Sequence, residues 1–197
     1  MSPARRCFGD GDPVFERYHD DEWGFPALDE RALFERLSLE AFQAGLSWRT
    51  ILAKRDSFRR AFANFEPDAV ARFGGAEVTR LLRDESIVRN RAKIEATVAN
   101  ARATVTLRGT GNPLDSLVRA HAPRARGRPP ATWTDVPSST VETVSLARAL
   151  KRHGFRFVGP TTLYALMQAC GLVDDHLARC PTRPAVERAR RATGLIC

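Results

Sequence analysis

The chain has 197 residues, 43% of them hydrophobic, and 31 lysines and arginines against 23 acidic residues leave a net charge of +8 at pH 7. That length and apolar content provide for one domain, or two small lobes, with a core of its own. No run approaches the roughly 18 apolar residues of a membrane span, and Met1 to Cys7 lacks the apolar stretch of a secretory signal, so a membrane protein is set aside and a cytoplasmic location is expected.

Asp29 is placed to cap a helix whose buried face runs through Leu33, Phe34, Leu37 and Ala41 in steps of three and four. Ser47 starts a second helix, SWRTILAKRDSFRRAF, and Pro67 opens a short third. EVTRLL gives the next, and RNRAKIEATVANARATV puts Ile94, Val98, Ala101 and Val105 on one stripe. Pro113 begins a short piece through Leu117. APRARGRPPATWTDVPSS is the longest plausible loop. Ser139 with Glu142 fits a capping box for a helix through Leu146 and Leu150, and after GFRFV, Pro160 opens a final apolar helix ending near Gly171. Residues 1–182 thus read as the domain, and 183–197 as a basic tail that is either a disordered arm or one more helix. No strand alternation is evident, and the fold class is all-α.

The positive charge favours a polyanionic partner, DNA or RNA. With only Lys54, Lys93 and Lys151 as lysines, arginine enrichment from a GC-rich genome would give the same charge without such a partner. Of the four cysteines, Cys170 sits in the apolar run LYALMQACGLV and reads as core, while Cys197 is a spare ligand, a free thiol or neither. In a reducing compartment all four stay reduced. Cys7 and His19 near one end and His176 and Cys180 near the other form two soft-ligand pairs. Together they suit tetrahedral zinc, with no open position for water, so the metal would be structural. A pattern split over so many residues is also what unrelated core side chains produce.

Glu40 stands among Leu37, Leu39, Ala41 and Phe42, where a carboxylate is costly to bury unless paired or used. It either turns to solvent or a helix N-terminus, or serves a pocket. Tyr18, Trp23 and Trp48 favour the pocket, because aromatic faces stack on a flat base and attract a cation, while a carboxylate accepts from exocyclic N–H groups.

YHDDEWGFP, LEAFQAGLSW, IVRNRAKIEATVANA and FRFVGPTTLYALMQACGLVDDH, in that order, resemble the signature blocks of the 3-methyladenine DNA glycosylase I family of bacteria, from about Cys7 to Cys180. The resemblance implies a helix-hairpin-helix fold in which a zinc clasp, one structural ion on Cys7, His19, His176 and Cys180, joins the two ends. It also implies base-excision repair: hydrolysis of the N-glycosidic bond of N3-methyladenine in double-stranded DNA, releasing 3-methyladenine. The enzyme would be a monofunctional, nucleoid-associated monomer. Glu40 matches the pocket carboxylate, with Tyr18 and Trp48 as aromatic walls and Trp23 as a brace. Arg89, Arg91 and Lys93 fall on the hairpin that grips phosphate.

Two departures from the family pattern stand out. Where the family has a tryptophan after the first cysteine, this chain has CFGDGDP, with Phe8 as the available base-stacking ring. Ser86 stands where glycine is common, at a position that can require positive φ. A catalytically silent DNA-binding relative, keeping hairpin and zinc, is the alternative class.

Overall fold

The computed structural model describes residues 5–123 and 128–195. Cys197 and part of the long arginine-rich loop lie outside them. Eleven helices are present among these residues: α1 (Pro13–Asp21), α2 (Glu30–Gln43), α3 (Trp48–Ala53), α4 (Arg55–Ala61), α5 (Pro67–Ala71), α6 (Gly75–Arg83), α7 (Arg91–Gly109), α8 (Leu114–Ala120), α9 (Val141–Arg152), α10 (Pro160–Ala169) and α11 (Arg183–Ala192). Short 3-10 turns occupy Ala63–Phe65 and Trp133–Asp135, and no strand occurs among the described residues.

Local chemistry accounts for most helix starts. Asp29 accepts from the Ala32 N–H at 2.9 Å, Ser47 from Thr50 at 3.2 Å and Asn90 from Lys93 at 3.1 Å, each satisfying a donor that lacks an intrahelical acceptor. Three elements differ from the sequence reading, and a fourth decides between its two alternatives. Asp12 caps α1 with Pro13 in its first turn, a helix absent from that reading. The helix expected from Ser47 to Phe62 breaks at Lys54 into α3 and α4. The box of α9 is formed one residue later, by Thr140 and Thr143 rather than Ser139 and Glu142. After residue 182 the chain forms α11, seated by fully buried Val186 and by Arg190, which donates to the Gly171 and Leu172 carbonyls at 2.8 and 3.1 Å.

Two cores share α2 and α7. Leu33 and Leu37 of α2 join Leu107, α8, α9 and α10 in one, while Phe34, Leu39 and Phe42 join α3 to α6 and Ile94 of α7 in the other. Both helices are therefore buried on more than one face. Val105, expected on the stripe of α7, is only half-buried, while Thr97, Asn100 and Thr104 are buried instead. Each finds an acceptor: Thr97 and Thr104 bond back to the carbonyls of Lys93 and Asn100, and the Asn100 amide donates to the Arg156 carbonyl. A third, aromatic cluster of Tyr18, Trp23 and Leu52 lies with Ala169 of α10. It is positioned where segment 24–26 crosses the end of α10. A Cβ on Gly171, at φ +71°, would come within 2.5 Å of the Gly24 carbonyl oxygen, so the crossing requires glycine.

Candidate active site and metal-ligand cluster

Beside the aromatic cluster, α1, α2, α3 and α10 form an open cavity of about 210 Å³ lined by Tyr18, Glu40, Trp48, Phe8, Trp23 and Gln168 among others. Tyr18 comes from α1, Glu40 from the last turn of α2, and Trp48 is the first residue of α3. The Tyr18 and Trp48 rings lie 5.4 Å apart at 48°, and Phe8 packs edge-on against Trp23 at 5.1 Å. The four residues expected to form a base pocket are thus brought together. Trp23, 7% exposed, also packs on the His176 ring at 4.5 Å, so it joins the pocket wall to the cysteine–histidine cluster.

Two buried glutamates on α2 show what makes Glu40 unusual. Both Glu35 and Glu40 are 6% exposed. Glu35 accepts from Arg59 at 2.7 Å and Arg31 at 3.4 Å, whereas Glu40 has no hydrogen-bond or ion-pair partner among the described residues. Burial alone pushes the Glu40 carboxyl up to about 8. Trp48 Nε1 is likewise buried without an acceptor. The cavity therefore holds one acid that the protein itself leaves unspent, beside a buried indole N–H without an acceptor.

Cys7, His19 and Cys180 lie with their ligand atoms within 4.8 Å of one another, positioned to bind a metal. His176 stands beside them, its ring centroid 4.9 Å from that of His19. His19 Nδ1 bonds Asp20 at 2.9 Å and His176 Nδ1 bonds Asp174 at 3.0 Å. These carboxylates orient each ring by its Nδ1, and the His19 Nε2 accepts from the Cys7 N–H at 3.2 Å and lies 3.4 Å from the Cys180 sulfur. The His176 Nε2 is buried with no hydrogen-bond partner. The Cys180 thiol is held well below its ordinary value by hydrogen bonding from Cys7, with His19 adding to it. Asp174 and Asp175 directly precede His176, and Asp175 accepts from Tyr164 and from the pocket residue Gln168 at 2.6 and 2.9 Å.

The α6–α7 hairpin separates the three basic residues assigned to it. Arg89 and Arg91 are exposed and, among the described residues, bonded only to Glu85 and Glu95 one turn away, at 3.1 and 3.2 Å. Such surface pairs are weak and exchange readily for phosphate. Lys93 is a correction: it is 7% exposed, and its ammonium donates to the carbonyls of Phe42 at 2.8 Å and Ala44 at 2.5 Å, closing the end of α2. Two of its three protons are thus spent inside the fold, and its burial holds it away from the surface where a phosphate would lie. Ser86 is a second correction. It is not among the positive-φ residues, and the Asp84 carboxylate accepts from both its N–H and its hydroxyl, at 2.9 and 2.6 Å, so the turn holds without glycine. Lys54 donates to the Glu85 and Ser86 carbonyls at 3.2 and 3.1 Å.

Sequence reasoning missed three residues near the site. Gln168 was read only as part of an apolar block. Leu46, 42% exposed on the turn after α2, and Trp133, 43% exposed, are large apolar side chains that no periodic pattern marks.

Comparison with known proteins agrees with this geometry. The chain is 43% identical over 176 residues to DNA-3-methyladenine glycosylase 1 of Escherichia coli strain K12, a match covering 88% of this chain and 93% of that one. A crystal structure of 3-methyladenine DNA glycosylase I superposes with a TM-score of 0.86 at 42% identity, covering 90% of this chain and 98% of that one. A structure describing 3-methyladenine recognition by the Staphylococcus aureus glycosylase superposes at 0.83 with 36% identity, covering 90% of this chain and 95% of that one. With the methyladenine glycosylase family model matching residues 8–183 as well, the chain belongs to that family.

Proposed function

We propose that the protein is a monofunctional DNA glycosylase that hydrolyses the N-glycosidic bond of N3-methyladenine in double-stranded DNA, acting as a cytoplasmic monomer and leaving an abasic site. The observation that carries this reading is Glu40, a buried carboxyl without a partner inside an aromatic cavity. A fold pays for such a group only where something else completes it.

Methylation at N3 makes the attached base cationic. When the bond from the sugar carbon to the base breaks, its electron pair stays with the base, which leaves neutral, and the positive charge passes to the sugar as an oxocarbenium ion. Water adds to that carbon and its proton goes to solvent. No strong acid is needed, so the work lies in extracting the nucleotide and holding it. Tyr18 and Trp48 supply ring faces, and Glu40 accepts from the amino edge. The arriving cation favours the ionised carboxylate, which selects methylated over ordinary adenine. Lys93, committed to the Phe42 and Ala44 carbonyls, is no amine nucleophile, which supports simple hydrolysis over strand cleavage. Arg89 and Arg91, with the N–H groups at the start of α7, are the phosphate contacts. Leu46, exposed in the turn where its N–H donates to the carbonyl of pocket-lining Gln43, would serve as an apolar wedge for the vacated stack.

Cys7, His19, His176 and Cys180 would hold one zinc ion, and the orphaned His176 Nε2 is the buried atom that such an ion would complete. The ion would supply a cross-link between chain ends and no chemistry to the base.

Duplex DNA carrying N3-methyladenine, incubated with the protein, should release free 3-methyladenine, and Glu40→Gln should slow release at least tenfold. Absence of released base from the wild-type protein would overturn the proposal. Tight DNA binding without release would establish the silent relative instead.

A further inference from the structure

The pocket has a wall that lies outside the four motif blocks carrying the family resemblance. Trp133 lies in the long loop before α9, yet it lines the same cavity as Glu40, Tyr18 and Trp48. Its loop is stapled. Asp135 accepts from the Ala131 and Thr132 N–H groups at 3.0 and 2.9 Å, and the Ala178 N–H donates to the Pro130 carbonyl at 2.8 Å. The indole itself is pinned, since Nε1 donates to the Cys7 carbonyl at 3.2 Å. Despite that anchoring, the side chain stays 43% exposed. Its ring neighbours are Phe8, at 6.3 Å and 39°, and Trp23, at 6.1 Å and 52°. Both contacts are tilted, so neither ring covers the indole face.

A fixed, uncovered indole at the mouth of a cavity containing an unpaired carboxyl has the form of a stacking platform. Tryptophan is the side chain whose face attracts a cationic ring most strongly, and an aromatic face accepts a base whatever its edge pattern. We infer that Trp133 is a base-binding residue, stacking on the extruded cationic purine from the loop side while Tyr18 and Trp48 hold it from the helix side. Phe8, the smaller ring behind it, then supports Trp133 rather than serving as the principal stacking surface. The inference rests on the reading of the cavity as the base pocket.

The test is titration of 3-methyladenine into wild-type protein, Trp133→Ala, Trp133→Leu and Trp133→Phe, with metal content measured on each. The alanine and leucine variants should bind about tenfold more weakly, the loss expected for one base–aromatic stack. The phenylalanine variant loses the bond to Cys7 but keeps a ring, and should stay within about threefold of wild type with a smaller fluorescence quench on binding. Full affinity in the alanine variant, or rescue by leucine as good as by phenylalanine, overturns the stacking role. Should alanine unfold the loop or lose metal, the leucine–phenylalanine pair decides alone, and equal affinities there also overturn it. Wild-type protein that neither binds nor releases 3-methyladenine overturns the pocket reading itself, a result separate from any difference among the variants.

Discussion

Neutral in the folded protein at most cellular pH values, Glu40 makes stability and the proposed function oppose one another at a single side chain. Its carboxyl titrates near 8 when folded, against about 4.5 for the ordinary group. Between those values the folded chain carries a proton that the unfolded chain has released, so this group's contribution to stability falls as pH rises from about 4.5 to about 8 and is flat beyond. Glu40→Gln should therefore match the wild-type unfolding free energy near pH 4.5 and exceed it near pH 8 by on the order of a few kcal/mol, measured by denaturant titration at both pH values. Equal stability at pH 8 would mean that the carboxyl is solvated. Excision should show the opposite trend. The cationic base needs the ionised form, so kcat/KM for wild type should climb toward pH 8, and the climb should vanish in Glu40→Gln.

The hairpin and the end of α2 divide the basic residues into two kinds of work. Lys93→Met removes an ammonium that the buried Phe42 carbonyl and the Ala44 carbonyl depend on, and should cost about 1–3 kcal/mol of stability while leaving the salt dependence of DNA binding unchanged. Arg89→Ala and Arg91→Ala should leave stability within about 0.5 kcal/mol, yet each should lower the slope of log affinity against log salt by about one. Sequence could not make that division, because all three residues lie within five positions of a loop–helix junction and only packing shows that Lys93 turns inward. The same limit appears elsewhere. Three- and four-residue spacing and the caps at Asp29 and Ser47 made α2 and the start of α3 legible. The break at Lys54 was hidden because apolar residues continue on both sides of it. The stripe on α7 was only half right, since a helix shared by two cores buries Thr and Asn as well as Ile and Val. Tyr18, Glu40 and Trp48 were readable because each sits in a dense motif, whereas Trp133 reaches the pocket through a loop whose path no local pattern encodes.

Across the whole molecule, the cysteine–histidine cluster does more than tie the ends together. Phe8 follows Cys7 directly, Trp23 packs on His176, and Trp133 hangs by its N–H from the Cys7 carbonyl, so three pocket rings are referenced to the same cluster. The hairpin with Arg89 and Arg91 belongs instead to the core built from α3 to α6. Stripping the proposed zinc with a chelator, or replacing Cys180 by Ser, should consequently act unequally on the two halves of function. The melting temperature should fall by about 10 °C or more, as expected when several kcal/mol of native-state binding energy is withdrawn. Affinity for 3-methyladenine should drop severalfold because the Phe8 and Trp133 walls lose their anchor. Salt-dependent binding to undamaged duplex, which the proposal assigns to the hairpin, should persist below the new melting temperature. Elemental analysis, calorimetry of 3-methyladenine binding and a salt titration on the same metal-free sample check all three, and a parallel loss of base and duplex binding would show that the clasp supports the fold as a whole rather than the pocket wall in particular.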